Sequence, residues 1–180
     1  GEIRDIETAS ISIQAALTGH MVFTTLHTRN AAGSVTRLMD MGVAPFLLNS
    51  SINGVIAQRL IRTICTSCKE KIDPKAYTSY KHREVIKLIK KNIREEDILT
   101  LYKGKGCKVC ENTGYKGRTG IFEVMIMNTE IGDLILEKSS AEKIHVEAIK
   151  EGMITMLEDG LEKIIKGITS IEEVARVLDI

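Results

Sequence analysis

Apolar positions recur at helical spacing over residues 6–18, where Ile6, Ala9, Ile13, Ala16 and Leu17 share one face. Asp5 is placed to cap that helix, Glu7 suits its first turn, and Thr18-Gly19 ends it. Met21 to Leu26 is short, continuous and largely apolar, which predicts a buried strand with His27 just past its carboxyl end. Asn30 then caps a helix over 31–41, with Val35, Leu38 and Met39 inward and Gly42 closing it. Pro45 opens a further helix to about Asn53, and Val55 to Arg62 reads as a strand. Residues 81–93 predict a basic amphipathic helix with Val85, Ile86, Ile89 and Ile93 on one stripe. Tyr115 to Met127 predicts a turn at Gly-Arg-Thr-Gly followed by a strand at Ile121–Val124. Three helices follow. Ser139 with Glu142 makes a capping box before Ile144, Ala148 and Ile149. Met153, Met156, Leu157, Leu161, Ile164 and Ile165 form a second stripe, stopped by Gly167. Thr169 with Glu172 starts the last helix, which carries Val174, Val177 and Leu178. The helix–strand–helix opening points to part of an α/β domain with a parallel sheet, and the carboxyl third to a small helical bundle. Ligands of such sheets bind outside the carboxyl ends of the strands, where His27 falls.

Composition changes this picture in two ways. Trp is absent and aromatics are 4% of the chain, so Ile, Leu, Val, Ala and Met must fill the core. No apolar run is long enough for a membrane-spanning helix and no signal peptide opens the chain, which places paired cysteines in a reducing compartment, the cytoplasm. The net charge of +1 also conceals an asymmetry. Residues 59–118 hold sixteen Lys and Arg against seven Asp and Glu, while the remainder is acidic. A basic middle suits phosphate, an acidic membrane face or an acidic partner, and equally a plain solvated surface.

Within that middle lie the only four cysteines, as Cys65-Thr66-Ser67-Cys68 and Cys107-Lys108-Val109-Cys110, with 38 residues between the pairs. Four thiolates so spaced suit a tetrahedral structural Zn²⁺ site, each pair forming one knuckle. The competing reading is two free pairs or a disulfide. Structural zinc contributes about 10–16 kcal/mol at neutral pH, against a typical domain stability of about 5–15 kcal/mol, so losing it should unfold the module.

Candidate chemistry is thinner elsewhere. No Ser-His-Asp triad, paired-carboxylate site or Rossmann glycine fingerprint is present. Glu2 could hold Mg²⁺ or orient an attacking water; read singly, it is a solvated glutamate. His20 reads as a helix-terminal residue, His27 as a surface histidine, and Arg59 and Arg62 as arginines snorkelling from a strand. Taken together these segments resemble one family. Gly1 to Ala9 (Gly-Glu-Ile-Arg-Asp-Ile-Glu-Thr-Ala) is similar to the end of the Walker B segment of the type II secretion and type IV pilus assembly ATPases. Thr18 to Thr28 is similar to their histidine box. Arg37 to Gly42, Gln58-Arg59-Leu60-Ile61-Arg62, the tetracysteine pattern, Gly114 to Ile121 and Gly152 to Gly160 follow in the family's order.

The resemblance implies a hexameric ATPase motor of the assembly or extension type, since retraction motors generally lack the tetracysteine module. It implies the second half of a RecA-like P-loop NTPase core (1–62), an inserted zinc module (63–118) and a strand with a carboxyl-terminal helical subdomain (119–180). Glu2 would be the Walker B glutamate, His27 the sensor of the γ-phosphate and His20 its companion, with Arg4 beside the nucleotide. ATP and Mg²⁺ would be cofactors of the full-length protein. Implied partners are further copies of the chain, an inner-membrane platform protein and a membrane-anchored docking protein at the cytoplasmic face. One departure stands out: the chain contains no Gly-x-x-x-x-Gly-Lys-[Ser/Thr], so the phosphate-cradling loop is missing. The expectation is a carboxyl-terminal fragment that alone neither binds ATP tightly nor hydrolyses it. The alternative is a zinc-stabilised protein- or membrane-docking module without catalysis. A nucleic-acid role is disfavoured by scarce aromatics and the lack of a reading motif.

Overall fold

A computed structural model describes residues 1–92 and 99–180, and the chain falls into two compact units. One comprises residues 1–57 and 123–155, the other 58–122 and 156–180.

In the first unit, α1 (Ile6–Leu17) begins where the Asp5 carboxylate accepts the Thr8 N–H at 2.8 Å. It stops at Thr18, with Gly19 at φ 92°. Of its predicted face, Ala9 and Ile13 are buried, whereas Ile6 and Leu17 stay half-exposed. α2 (Ala31–Asp40) is capped by Asn30 on the Gly33 N–H at 2.9 Å, and α3 (Pro45–Ser51) carries proline at its first position. α5 (Thr129–Leu136) and α6 (Ala141–Lys150) complete the helices. α2 packs on α6 and α3 on α1 and α5, around Val35, Leu38, Leu48, Ile131, Ile135 and Ile144.

The strand expected over Met21–Leu26 does not form. Thr25 makes a single parallel bridge to Glu2, with the Ile3 N–H donating to the Thr25 carbonyl at 2.9 Å, while Met21 and Phe23 are 73% and 87% exposed. A buried parallel strand needs ladder partners along its length, and among the described residues this segment makes one bridge. The α5 helix was not anticipated. Gly132 interrupts its apolar pattern, and it closes against the Asn49 side chain, where any Cβ would lie 2.3 Å from Asn49 Oδ1.

The second unit holds β2 (Lys69–Ile72) antiparallel to β3 (Leu101–Gly104), in register from Lys69 opposite Gly104 to Ile72 opposite Leu101. α4 (Tyr80–Asn92) packs on α7 (Met156–Ile165) and α8 (Ile171–Leu178). Their core is Tyr77, Val85, Ile86, Ile89, Leu101, Leu161, Ile164, Ile171 and Val174. The predicted stripe of α4 is therefore correct at Val85, Ile86 and Ile89; Ile93 lies outside the described residues. β1 (Gly54–Ile64) pairs with β4 (Tyr115–Ile126), and both strands contribute to both units. The Gly-Arg-Thr-Gly segment is strand rather than turn; Gly117 takes φ 86° within it.

The four helices of the carboxyl third divide between the units, α5 and α6 to the first, α7 and α8 to the second. Two caps also move by one residue. Ser140 rather than Ser139 caps α6, because Lys138 at φ 55° and Ser139 still close α5. Ser170 rather than Thr169 caps α8, because the Thr169 hydroxyl donates to the Arg62 carbonyl at 2.8 Å.

Candidate metal centre and carboxylate–histidine pair

The two Cys-x-x-Cys segments converge. All four Sγ atoms lie within 4.8 Å of one another, with Cys65–Cys107 at 3.9 Å, Cys68–Cys110 at 3.8 Å and Cys107–Cys110 at 3.7 Å. A tetrahedral ion with metal–sulfur bonds of about 2.3 Å sets its sulfurs about 3.8 Å apart, so the donor set fits a metal ion. Backbone donors prepare it: the N–H groups of Gly106, Cys107 and Gly114 point at Cys68, Cys110 and Cys110 respectively, each at 3.3 Å. Two glycine backbones meet here at close quarters. A Cβ on Gly104 would sit 1.9 Å from the Gly114 carbonyl oxygen, a contact no side chain allows. Burial disfavours a thiolate at Cys68, and with the neighbouring thiols it pushes that group up to about 12 despite the Gly106 N–H. At Cys110 burial acts the same way, but the Cys107 and Gly114 N–H groups outweigh it and hold the thiol down at about 6. A cation bound among the four sulfurs would offset the cost of burial and favour their ionised forms, so the cluster could hold a metal ion.

The second candidate lies in the first unit. The bridge at Thr25 sets Glu2 beside the residues that follow it, and the His27 Nε2–H donates to Glu2 Oε2 at 2.8 Å. Arg4 pairs with the other carboxylate oxygen, Oε1. The His27 ring is 86% exposed and Glu2 29%, so the pair faces solvent. His20 is not brought to it. Its Nδ1 lies 3.1 Å from the Thr18 hydroxyl and 3.3 Å from the Ala15 carbonyl, a finish to α1.

Arg62 is tied into the second unit. Its Nε and a terminal nitrogen donate to Glu173 Oε2 at 2.9 and 2.6 Å, its backbone N–H to Oε1 at 2.9 Å, and its guanidinium stacks 4.2 Å over the Tyr115 ring. Arg176 reaches the same carboxylate at 3.0 and 2.7 Å. Arg59 donates to the Gln58 carbonyl at 3.0 Å. Glu173 is fully buried, and Glu123, 3% exposed, accepts the Ala31 N–H at 2.7 Å. Sequence reasoning passed over both glutamates. The available signal was a carboxylate at an otherwise apolar position: Glu123 between Ile121 and Met125 on alternate strand positions, Glu173 beside Val174 in the last helix.

The chain is 46% identical over 177 residues to the type II secretion system ATPase E of Vibrio cholerae, covering 98% of this chain and 33% of that protein. To the type IV pilus assembly ATPase PilB of Thermus thermophilus it is 45% identical over 182 residues, covering 99% and 20%. The ATPase DotB of Legionella pneumophila shares the fold, with a TM-score of 0.59 at 22% identity over 98% of this chain and 36% of that one. The chain thus spans a third or less of the length of these two curated relatives. No helix among the described residues is long and apolar enough to cross a membrane. A sequence profile described as Type II/IV secretion system protein matches residues 1–176, nearly the whole length, and the chain belongs to that family.

Proposed function

We propose that this chain is the carboxyl-terminal part of a hexameric motor that couples ATP hydrolysis to pilin or pseudopilin assembly, in type IV pilus biogenesis or type II secretion. The observation that carries the reading is the Glu2–His27 hydrogen bond of 2.8 Å, which joins the two residues singled out for phosphoryl chemistry. The names of the V. cholerae and T. thermophilus relatives supply the class of machine. Mg²⁺-ATP, when bound, supplies the phosphoryl group and the charge that polarises it. Glu2 would orient the attacking water and accept hydrogen bonds from water around the Mg²⁺, and His27 would sense the terminal phosphate beside it. Arg4 balances the carboxylate before nucleotide arrives. Residues 1–62 act as the second half of a RecA-like core.

The four cysteines bind one structural Zn²⁺, for which an all-sulfur tetrahedral site is well suited. The module it stabilises, with its basic surroundings, is where the motor meets the platform protein and the membrane-anchored docking protein at the cytoplasmic face of the inner membrane. Alone, and without a phosphate loop, the 180 residues neither bind ATP tightly nor turn it over. The test is steady-state phosphate release by the full-length protein and its Glu2→Gln variant, at matched zinc content. The variant should lose activity by about 100-fold or more. A variant that keeps its rate removes Glu2 from the chemistry, and an inert full-length protein leaves the zinc-stabilised docking module as the function.

A further inference from the structure

We propose that Glu123 is a positioning residue, which sets where His27 stands relative to Glu2. The inference rests on the reading of that pair as part of the nucleotide site. β4 presents Ile121, Glu123 and Met125 to the interior, and a carboxyl group buried in this row requires a hydrogen-bond partner. It receives one from the first turn of α2, the Ala31 N–H at 2.7 Å, where the helix end adds positive potential. This is a different donor from the one that Asn30 caps, the Gly33 N–H at 2.9 Å. The Thr28 hydroxyl adds further ties, to the Asn30 carbonyl at 3.1 Å and to the buried Ser34 hydroxyl at 2.8 Å. Residues 28–31 are therefore held by the side chains of Thr28, Asn30, Ser34 and Glu123, and His27 is the next residue along. Its ring is almost wholly exposed, so packing does little to place it. The backbone that leads to it, and the Glu2 carboxylate at its tip, must do so.

The cap comes from a residue 92 positions away. Removing it releases the loop without altering the loop's own sequence, which separates positioning from local propensity. The experiment is NMR of the full 180-residue chain labelled at the histidine ring nitrogens, in wild type and in Glu123→Ala, Glu123→Gln, Glu2→Gln and Val35→Ala. The Glu2→Gln variant defines the His27 signal that has lost its partner, and His82, packed edge-on against Tyr77 at 5.3 Å, is the internal reference. Glu123→Ala should move the His27 ring signals to the Glu2→Gln positions and leave His82 unchanged. Glu123→Gln, whose amide oxygen still accepts from Ala31, should move them part of the way. Val35→Ala removes buried volume from the same helix and should lower its stability while leaving His27 as in wild type. His27 signals unmoved in Glu123→Ala overturn the proposal, as do signals unmoved in Glu123→Gln should the alanine variant fail to fold. Equal displacement in Val35→Ala overturns it too, by showing a purely structural effect. An inactive full-length motor would remove the ATP reading yet leave this result standing; unmoved signals alongside an active motor would remove the positioning role alone.

Discussion

Glu173 offers the sharpest energetic test. Its carboxylate is fully buried, accepts five hydrogen bonds from Arg62 and Arg176, and is held at about 2 against an ordinary 4.5. Burial opposes the charge, and the two guanidiniums with the Arg62 N–H overcome it. A depression from 4.5 to about 2, at roughly 1.4 kcal/mol per unit, corresponds to about 3 kcal/mol. The arginine side chains are 44% and 58% exposed, and screening there reduces the figure, so about 2–3 kcal/mol is expected. Glu173→Gln should lower stability at pH 7 by that amount. It falls at the low end for a buried pair because the charges left behind can reach water. The sign follows from the direction of the shift. The folded-state value is depressed, so the contribution is complete above about pH 4.5 and is lost as pH falls toward 2. All four tyrosines (77, 80, 102 and 115) lie in the second unit and Trp is absent, so tyrosine fluorescence follows that unit alone. Urea titrations from pH 7 to pH 3 should show a constant gap between wild type and variant above pH 5. Below pH 4.5 the gap should shrink, by at most about 1.4 kcal/mol per pH unit. Titration of the cysteines is common to both proteins and drops out of the difference. A gap under about 0.5 kcal/mol at pH 7, or one independent of pH, would refute the reasoning.

Four further outcomes are expected. One Zn²⁺ should be found per chain by elemental analysis, and a strong chelator should collapse the tyrosine signal of the second unit; a chain that keeps its fold without metal contradicts the structural role. Gly104→Ala drives a methyl into the Gly114 carbonyl, so zinc affinity in a competition titration should fall at least tenfold, whereas unchanged affinity would mean that the crossing can widen freely. Asp5→Ala removes the cap of α1 and should cost about 1 kcal/mol in denaturant unfolding of the first unit followed by circular dichroism. Ile144→Ala, fully buried where α6 meets its neighbours, should cost about 2–5 kcal/mol by the same measurement.

Local signals were legible where a single residue decides the structure. Asp5 and Asn30 cap the helices they were expected to cap, and the four cysteines converge as their spacing requires. Where two adjacent residues could cap, as at Ser139-Ser140 and Thr169-Ser170, the choice fell to tertiary contacts that no local pattern records. The run Met21–Leu26 has the composition of a buried strand, but strand formation depends on partners, and one bridge to Glu2 leaves Phe23 in water. The β2–β3 pair was missed for the opposite reason. Its strands are four residues long and rich in lysine, and they meet across an interval that includes the whole of α4. In the candidate site, Glu2 and His27 were named from motif order and are hydrogen-bonded, while His20 finishes α1. Arg62 and Arg4 were ambiguous in sequence because a guanidinium serves a ligand and a structural carboxylate equally well. Arg62 is bonded to Glu173.

The core of the second unit has a consequence for how the chain is made. Tyr77, Val85, Ile89 and Leu101 are buried against Leu161, Ile164, Ile171 and Val174. On the ribosome the first group emerges well before the second, with all four cysteines among the early residues. During that interval the module has its ligands but only half of its apolar interior. A nascent chain that captures metal at this stage has its two knuckles pinned while the remaining surface waits, exposed, for α7 and α8. Were metal captured at that stage, its supply during translation would bear on yield, and a chain paused before residue 156 would still expose the unfilled half of this core.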